Sequence, residues 1–387
     1  MGSPSRGGAV KLRPERFGAW ARVDDGTLVA VDRTLARRLG VDAGALWDDA
    51  LPAPAPWPLE VHVAVTSRCP AGCSGCYQSA TREGEDVPLE ALAQRLDALA
   101  AKGVFTVAYG GGEPALRDDL GELARMARAR GMVPVVTTSG LGLTRERAEA
   151  LRDFAQVNVS HDGVGGGYLA VRGFAGESIA DKAVRLLVEA GVAVGINHVL
   201  TRQNVSGLAA MARHARALGA REVQLLRYKP AGRAASPEYL ARRLSREQVA
   251  ALGETLRAVA AEHEGALSFR VDCAMVPLLS ETLTDAAALA RFGVFGCEAG
   301  RHLGAIKRDG SVVGCSFTHG DGVNGVERWD DDATLVALRD YVAAPPEPCA
   351  SCALRSVCRG GCRIVSEHLT GAWAPDPECP RVIAAGG

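Results

Sequence analysis

From Leu59 to Arg227 the chain alternates six times between short apolar, mostly β-branched runs and amphipathic helical patterns, a rhythm that few folds accept. The strand runs are Leu59 to Thr66, Val104 to Tyr109, Met132 to Thr137, Gln156 to Ser160, Val192 to Val199 and Glu222 to Arg227. Helical patterns separate them at Leu89 to Lys102, Asp118 to Arg130, Arg145 to Asp153, Glu177 to Ala190 and Gly207 to Leu218, and Arg246 to Glu264 follows the last strand. Strands that are apolar almost without interruption belong to a parallel sheet covered on both faces. Six βα units therefore predict an α/β fold, a partial (β/α)6 barrel of TIM-like type, whose chemistry sits on the loops after the strands.

The first of those loops carries Cys69, Cys73 and Cys76, a CxxxCxxC run of eight residues. A four-iron cluster held in the usual way takes four cysteines, so three thiolates would leave one iron open to a small molecule. The competing readings are zinc, a disulfide with a spare thiol, or chance. Zinc prefers four ligands, commonly in CxxC pairs, and His62 lies upstream inside the strand. The chain starts without an apolar targeting segment and has no run long enough to span a bilayer. A cytoplasmic location follows as an expectation, and there stable disulfides are rare.

A net charge of -1 leaves no electrostatic footprint for nucleic acid. The 387 residues suffice for more than one domain. We expect an N-terminal extension over 1–57, a barrel over 58–235, a connecting helix over 236–265 and a cysteine-rich domain over 266–387. The extension reads as a β-hairpin with an Asp24-Asp25-Gly26 turn and a short helix from about Thr34, joined by a Pro-rich linker over 52–58. A small decoration packed on the barrel is the simpler role for it; a peptide-binding module is the other. Of the eleven cysteines, the eight outside the triplet lie between Cys273 and Cys379.

Several loops together resemble the radical S-adenosylmethionine (SAM) superfamily. The triplet matches its cluster loop, and Gly111, Gly112, Glu113 and Pro114 after the second strand match its Gly-Gly-Glu-Pro motif, which contacts the SAM amino group. Thr137 to Gly140 stands where the family often has Thr-Asn-Gly. Ser160 and Asp162 resemble its Ser-x-Asp-Gly loop, and Arg172 before Gly173 resembles the arginine that pairs with the SAM carboxylate. His161 replaces a usual aliphatic residue, and we read it as a hydrogen-bonded histidine at a strand end, with an acid–base role as the alternative. The family often has an aromatic residue before the third cysteine, packed on adenine; here Gly75 stands there, and Tyr77 is the candidate to replace it. Asn197, Asn204 and the strand containing Leu226 are candidate adenine or substrate neighbours, and Tyr228, Lys229 and Arg233 follow as candidates to orient substrate, with a solvated loop as the alternative.

The downstream cysteines, Cys297, Cys315 after Gly310, Cys349, Cys352, Cys358, Cys362 and Cys379, match the signature of the SPASM extension, which holds auxiliary iron–sulfur clusters. A zinc knuckle over 349–362 is the alternative. The resemblance implies an outer cluster on Cys349, Cys352, Cys358 and Cys379 and an inner one on Cys297, Cys315 and Cys362. Cys273 completes the inner set by counting, or else is an inert thiol. The implied cofactors are SAM, its [4Fe-4S] cluster and two auxiliary [4Fe-4S] clusters. The implied enzyme is a radical SAM oxidoreductase that crosslinks or dehydrogenates a ribosomally made precursor peptide, served by a flavodoxin or ferredoxin. A small-molecule dehydrogenase or epimerase is the alternative. A sulfatase-maturating enzyme fits less well, since that type has Asp where Ser316 follows Cys315, with His319 and Asp321 beyond.

Overall fold

The computed structural model describes residues 10–25, 27–51, 57–291, 294–318 and 322–386. Its centre is a ten-stranded sheet. Strands β4 (Glu60–Thr66), β5 (Thr106–Gly111), β6 (Val133–Thr138), β7 (Gln156–Ser160), β8 (Val194–Leu200) and β9 (Glu222–Arg227) lie side by side and parallel, in chain order. This is the expected partial barrel. Its inter-strand helices are α2 (Leu89–Ala101), α3 (Leu120–Ala129), α4 (Arg145–Ala150), α5 (Gly167–Arg172), α6 (Glu177–Glu189) and α7 (Leu208–Leu218), numbered after α1 (Arg33–Arg38) in the extension. The longer ones bury one apolar stripe: in α3, Leu120, Leu123, Ala124 and Ala127 are buried at helical spacing. Tyr109 crosses that interface, fully buried, and its hydroxyl donates to Leu123 O at 3.1 Å. Beyond β9 come α8 (Tyr239–Arg242) and α9 (Arg246–Glu262), the latter opened by a reciprocal Ser245 and Gln248 capping box.

Two expectations need correction. The hairpin is a three-stranded antiparallel sheet, β1 (Lys11–Glu15), β2 (Gly18–Arg22) and β3 (Leu28–Asp32), with α1 following directly. Pro14 is tolerated because β1 is an edge strand. The sheet docks through β1: Lys11 Nζ donates to Val104 O at 2.9 Å and Arg13 Nη1 to Pro58 O at 2.8 Å. Its opposite edge, β3, leaves Leu28 and Val29 exposed, beside exposed Leu35 and Leu39. Gly26 of the expected turn and residues 52–56 of the linker lie outside the described residues.

The second correction concerns the boundary at 266, where the barrel sheet does not stop. β10 (Ser268–Val271) pairs parallel with β9, and β11 (Leu303–Ile306) pairs parallel with β4, so the cysteine-rich segment caps both edges of the partial barrel. β12 (Ser311–Val313) and β13 (Val323–Asn324) continue antiparallel from β11. An open sheet has two unpaired edges, and covering them ties the cysteine-rich segment to the strand ends that hold the site. Among the described residues no helix is long and apolar enough to cross a membrane.

Candidate functional site

The CxxxCxxC loop leaves the C-terminal end of β4 and folds under Arg233, whose backbone N donates to Cys76 O, whose Nε donates to Cys73 O at 2.9 Å and whose Nη1 donates to Ala80 O at 2.8 Å. Cys69, Cys73 and Cys76 are free thiols, each half-buried. Burial pushes the Cys69 thiol up to about 11, so a compensating cation is needed to hold it as thiolate. Three thiols without an intervening disulfide, one of them dependent on such a cation, fit an iron cluster.

The glycines after β5 let the cysteine loop pack closely on them. Gly111, at φ +124°, and Gly112 press on the base of that loop: a Cβ on Gly111 would lie 2.2 Å from Thr66 O, and one on Gly112 2.3 Å from Arg68 O. They seat the loop. A Cβ on Gly110 would have open space, its nearest neighbour being the Tyr77 hydroxyl at 3.8 Å. Glu113 is 1 % exposed. Its Oε1 accepts from Ala115 N at 3.0 Å and Thr138 Oγ1 at 2.5 Å, and its Oε2 accepts from Ser139 N and Ser139 Oγ. Burial raises its pKa despite these donors. Pro114 starts the 3-10 turn after it and is buried.

Ser160 ends β7 and is buried. Asp162 accepts at both carboxylate oxygens, at Oδ2 from Arg172 Nε at 2.5 Å and at Oδ1 from Val199 N at 2.7 Å, so it positions Arg172. Arg172, at the end of α5, reaches to 3.9 Å from Cys73 Sγ. Burial works against its charge, but Asp162 and Cys73 more than offset it and raise its pKa. Asn204 is engaged in the same way, donating to Asp162 O and Val199 O while accepting from Thr201 N. Asn197 is not: its Nδ2 donates to Thr137 Oγ1 at 3.2 Å and its buried Oδ1 has no partner. Leu226 is half-buried on β9, paired in register with Val199. His161 is the expected hydrogen-bonded histidine, its Nε2 3.0 Å from Asp181 Oδ1.

Tyr228 covers Gly75: a Cβ there would lie 3.0 Å from the Tyr228 ring. Tyr77 stacks on Phe317, ring centroids 4.5 Å apart. Arg233 is committed to the cysteine loop, and Lys229 is buried, ion-paired to Asp272 and 4.2 Å above the Phe317 ring. Both cations are thus engaged by the protein's own groups.

The eight downstream cysteines gather in two groups. Cys349, Cys352, Cys358 and Cys379 line one small cavity, with Ser280 and Arg381 at its wall. Arg381 Nη1 lies 3.9 Å from Cys352 Sγ and Ser280 Oγ 3.4 Å from Cys379 Sγ. Burial pushes Cys349 up to about 11 and Cys358 to about 12. In the second group burial raises Cys273, Cys315 and Cys362; all three also feel the charge of Cys297, and Lys229 opposes the rise in each. Cys273 thus stands with the inner group. Gly310, at φ +94°, makes the β11–β12 turn that delivers Cys315. Ser316 Oγ lies 3.2 Å from His62 Nδ1, tying this position to β4. His319 and Asp321 lie outside the described residues.

Missed by sequence reasoning was a buried ion network. Arg227 grips Asp376 through Nη1 at 2.6 Å and Nη2 at 2.9 Å, and Nη2 also reaches Glu378 at 2.9 Å. Asp376 in turn accepts from Cys362 N and, through its carbonyl, from Cys379 N. The signal available was Asp376 and Glu378 flanking Pro377 in an otherwise apolar stretch.

The Radical SAM superfamily model matches residues 63–215. The chain is 30% identical over 344 residues to Fe-coproporphyrin III synthase of Methanosarcina barkeri, covering 81% of this chain and 86% of that one. It is 29% identical over 344 residues to PqqA peptide cyclase of Ruegeria pomeroyi, covering 84% and 88%. Among solved structures, Streptococcus suis SuiB bound to precursor peptide SuiA is similar in fold, with TM-score 0.76 at 17% identity, over 96% of this chain and 98% of that one.

Proposed function

Because the chain belongs to the radical SAM superfamily, we propose that it oxidatively matures a ribosomally made peptide by crosslinking or dehydrogenating it. Membership brings a [4Fe-4S] cluster and SAM, which together supply abstraction of a hydrogen atom from an unactivated carbon. Cys69, Cys73 and Cys76 would hold that cluster. Arg172, kept in place by Asp162, offers a cation to the SAM carboxylate, Ser160 at the end of β7 offers a hydroxyl, and the free Asn197 Oδ1 offers an acceptor to a ligand amine. Glu113 anchors the β6 loop through Ser139 and so shapes the end of the site where the amino group would lie. Gly111, Gly112 and Pro114 set the wall, and Tyr77 and Leu226 line it.

We further propose a SPASM domain over 266–387 with two auxiliary [4Fe-4S] clusters, on Cys273, Cys297, Cys315 and Cys362, and on Cys349, Cys352, Cys358 and Cys379. The observation that carries the oxidative reading is the Tyr77–Phe317 stack. Tyr77 follows Cys76 and Phe317 follows Cys315 by two residues, so the two cysteine regions meet across one ring contact of 4.5 Å. A cluster held by Cys315 and its partners would therefore sit close to the Cys69–Cys76 loop and could supply an acceptor for a second electron from the substrate.

The peptide substrate draws support from the similarity to PqqA peptide cyclase and from the exposed β3 edge, where an extended chain could add as a strand. The similarity to Fe-coproporphyrin III synthase favours the second reading, a small-molecule substrate. We place the enzyme in the cytoplasm with a flavodoxin or ferredoxin as donor. Given SAM, reductant and a precursor peptide from its own locus, it should release 5'-deoxyadenosine and a peptide about two mass units lighter. Inactivity on such peptides with turnover of a pathway alcohol or amino sugar would move the assignment to the small-molecule reading. An unchanged peptide mass with solvent deuterium incorporated would mean epimerisation.

A further inference from the structure

His161, Asp181 and His214 each offer a ligand atom, and these atoms all lie within 4.8 Å of one another. They come from three elements: His161 directly follows β7, Asp181 is on α6 and His214 on α7. Asp181 Oδ1 is 3.0 Å from His161 Nε2 and 2.7 Å from His214 Nε2. Ligands of a tetrahedral zinc ion, bound at about 2.1 Å, stand roughly 3.4 Å apart. The separations are those of hydrogen bonds, and small side-chain shifts would open them to admit an ion. The other carboxylate oxygen, Oδ2, has Arg185 Nη2 at 3.7 Å. The His214 side chain is 27 % exposed and that of Asp181 20 %, so an ion has a route in and water can complete its coordination.

We infer that His161, Asp181 and His214 form a divalent transition-metal site, of the zinc class, that clamps the end of β7 to α6 and α7. Two imidazoles and one carboxylate are a donor set suited to zinc, and three protein ligands leave a position for water. The clamp bears on the candidate site through the main chain. His161 precedes Asp162, which holds Arg172, and its carbonyl lies 2.9 Å from His198 Nδ1.

The test is a zinc titration of the anaerobically reconstituted full chain against a chromophoric chelator, for wild type, His214→Ala and Asp181→Asn, with iron content measured in each. Wild type should take up about one zinc ion more per chain than either variant, at equal iron content. Zinc should also raise the thermal midpoint of wild type and not that of the variants, since a ligand bound only by the folded state stabilises it. His214→Ala removes a partly exposed side chain, so it keeps the comparison valid if Asp181→Asn folds poorly. Equal zinc uptake by wild type and His214→Ala, or an equal rise in midpoint, would overturn the assignment and leave a carboxylate hydrogen-bonded to two histidines.

Discussion

Arg227→Met should loosen the joint between the barrel and the cysteine-rich segment. The Arg227 side chain is 3 % exposed and that of Asp376 1 %, and the pair is bidentate with Glu378 as a further acceptor. Removing one partner of a buried pair leaves uncompensated charge and costs about 3–5 kcal/mol. For 387 residues, an unfolding entropy of about 2.1 cal/mol/K per residue turns that loss into a midpoint lower by roughly 4–6 °C. The assay is thermal unfolding of anaerobic holoprotein at one fixed scan rate, with iron content alongside, because Cys362 and Cys379 both lean on Asp376. Iron should fall in the variant while SAM cleavage persists. Arg227→Met with Asp376→Asn should recover part of the loss, the signature of direct coupling. The pH dependence has a definite sign. Burial raises the Asp376 carboxyl, but Arg227 more than reverses that and holds it below its ordinary value. Its stabilisation is therefore complete above the unfolded value of about 4 and is lost only as pH falls through the lower folded value. A midpoint and iron content unchanged in Arg227→Met would refute the reasoning.

Gly112→Ala puts a Cβ 2.3 Å from Arg68 O, and overpacking of that kind costs about 1–3 kcal/mol; iron bound by the CxxxCxxC loop should fall while auxiliary iron stays, which cluster-resolved Mössbauer spectra would read. Cys273→Ala should alter the spectrum of one auxiliary cluster and spare uncoupled 5'-deoxyadenosine formation; an unchanged spectrum would make it an inert thiol. Arg233→Met removes the side-chain donors to Cys73 O and Ala80 O, each charged bond worth about 1.5–3 kcal/mol. SAM cleavage should drop in that variant at constant auxiliary iron, and equal cleavage rates would show that the loop holds itself.

β7 (Gln-Val-Asn-Val-Ser) and β9 (Glu-Val-Gln-Leu-Leu-Arg) were legible to the residue because each sets aliphatic residues between polar ones at strand spacing and lies between helical patterns. β1 was not, since Lys11, Arg13, Pro14 and Glu15 look like a loop and only an edge position lets them form a strand. β10 and β11 are four residues each, and their parallel partners lie far away in sequence, so nothing local announces them. α5 was hidden behind Gly163, Gly165, Gly166 and Gly167. At the site, cysteine spacing carried the two cysteine sets, whereas the fates of Tyr228, Lys229 and Arg233 depended on neighbours from other elements. Spacing could not reveal that Asp162 and Asn204 are engaged internally while Asn197 keeps a free oxygen. His161, Asp181 and His214 share no motif, being brought together only by the packing of α6 and α7 on β7.

Abstraction of a hydrogen atom from a peptide carbon is the centre of this account, and the label it leaves can be followed directly. Holoenzyme is supplied with SAM, reductant and a precursor peptide deuterated on its carbons, and the 5'-deoxyadenosine released is weighed by mass spectrometry. Deuterium in that product, together with a lighter peptide, is the expected result; a modified peptide accompanied by unlabelled 5'-deoxyadenosine would contradict it.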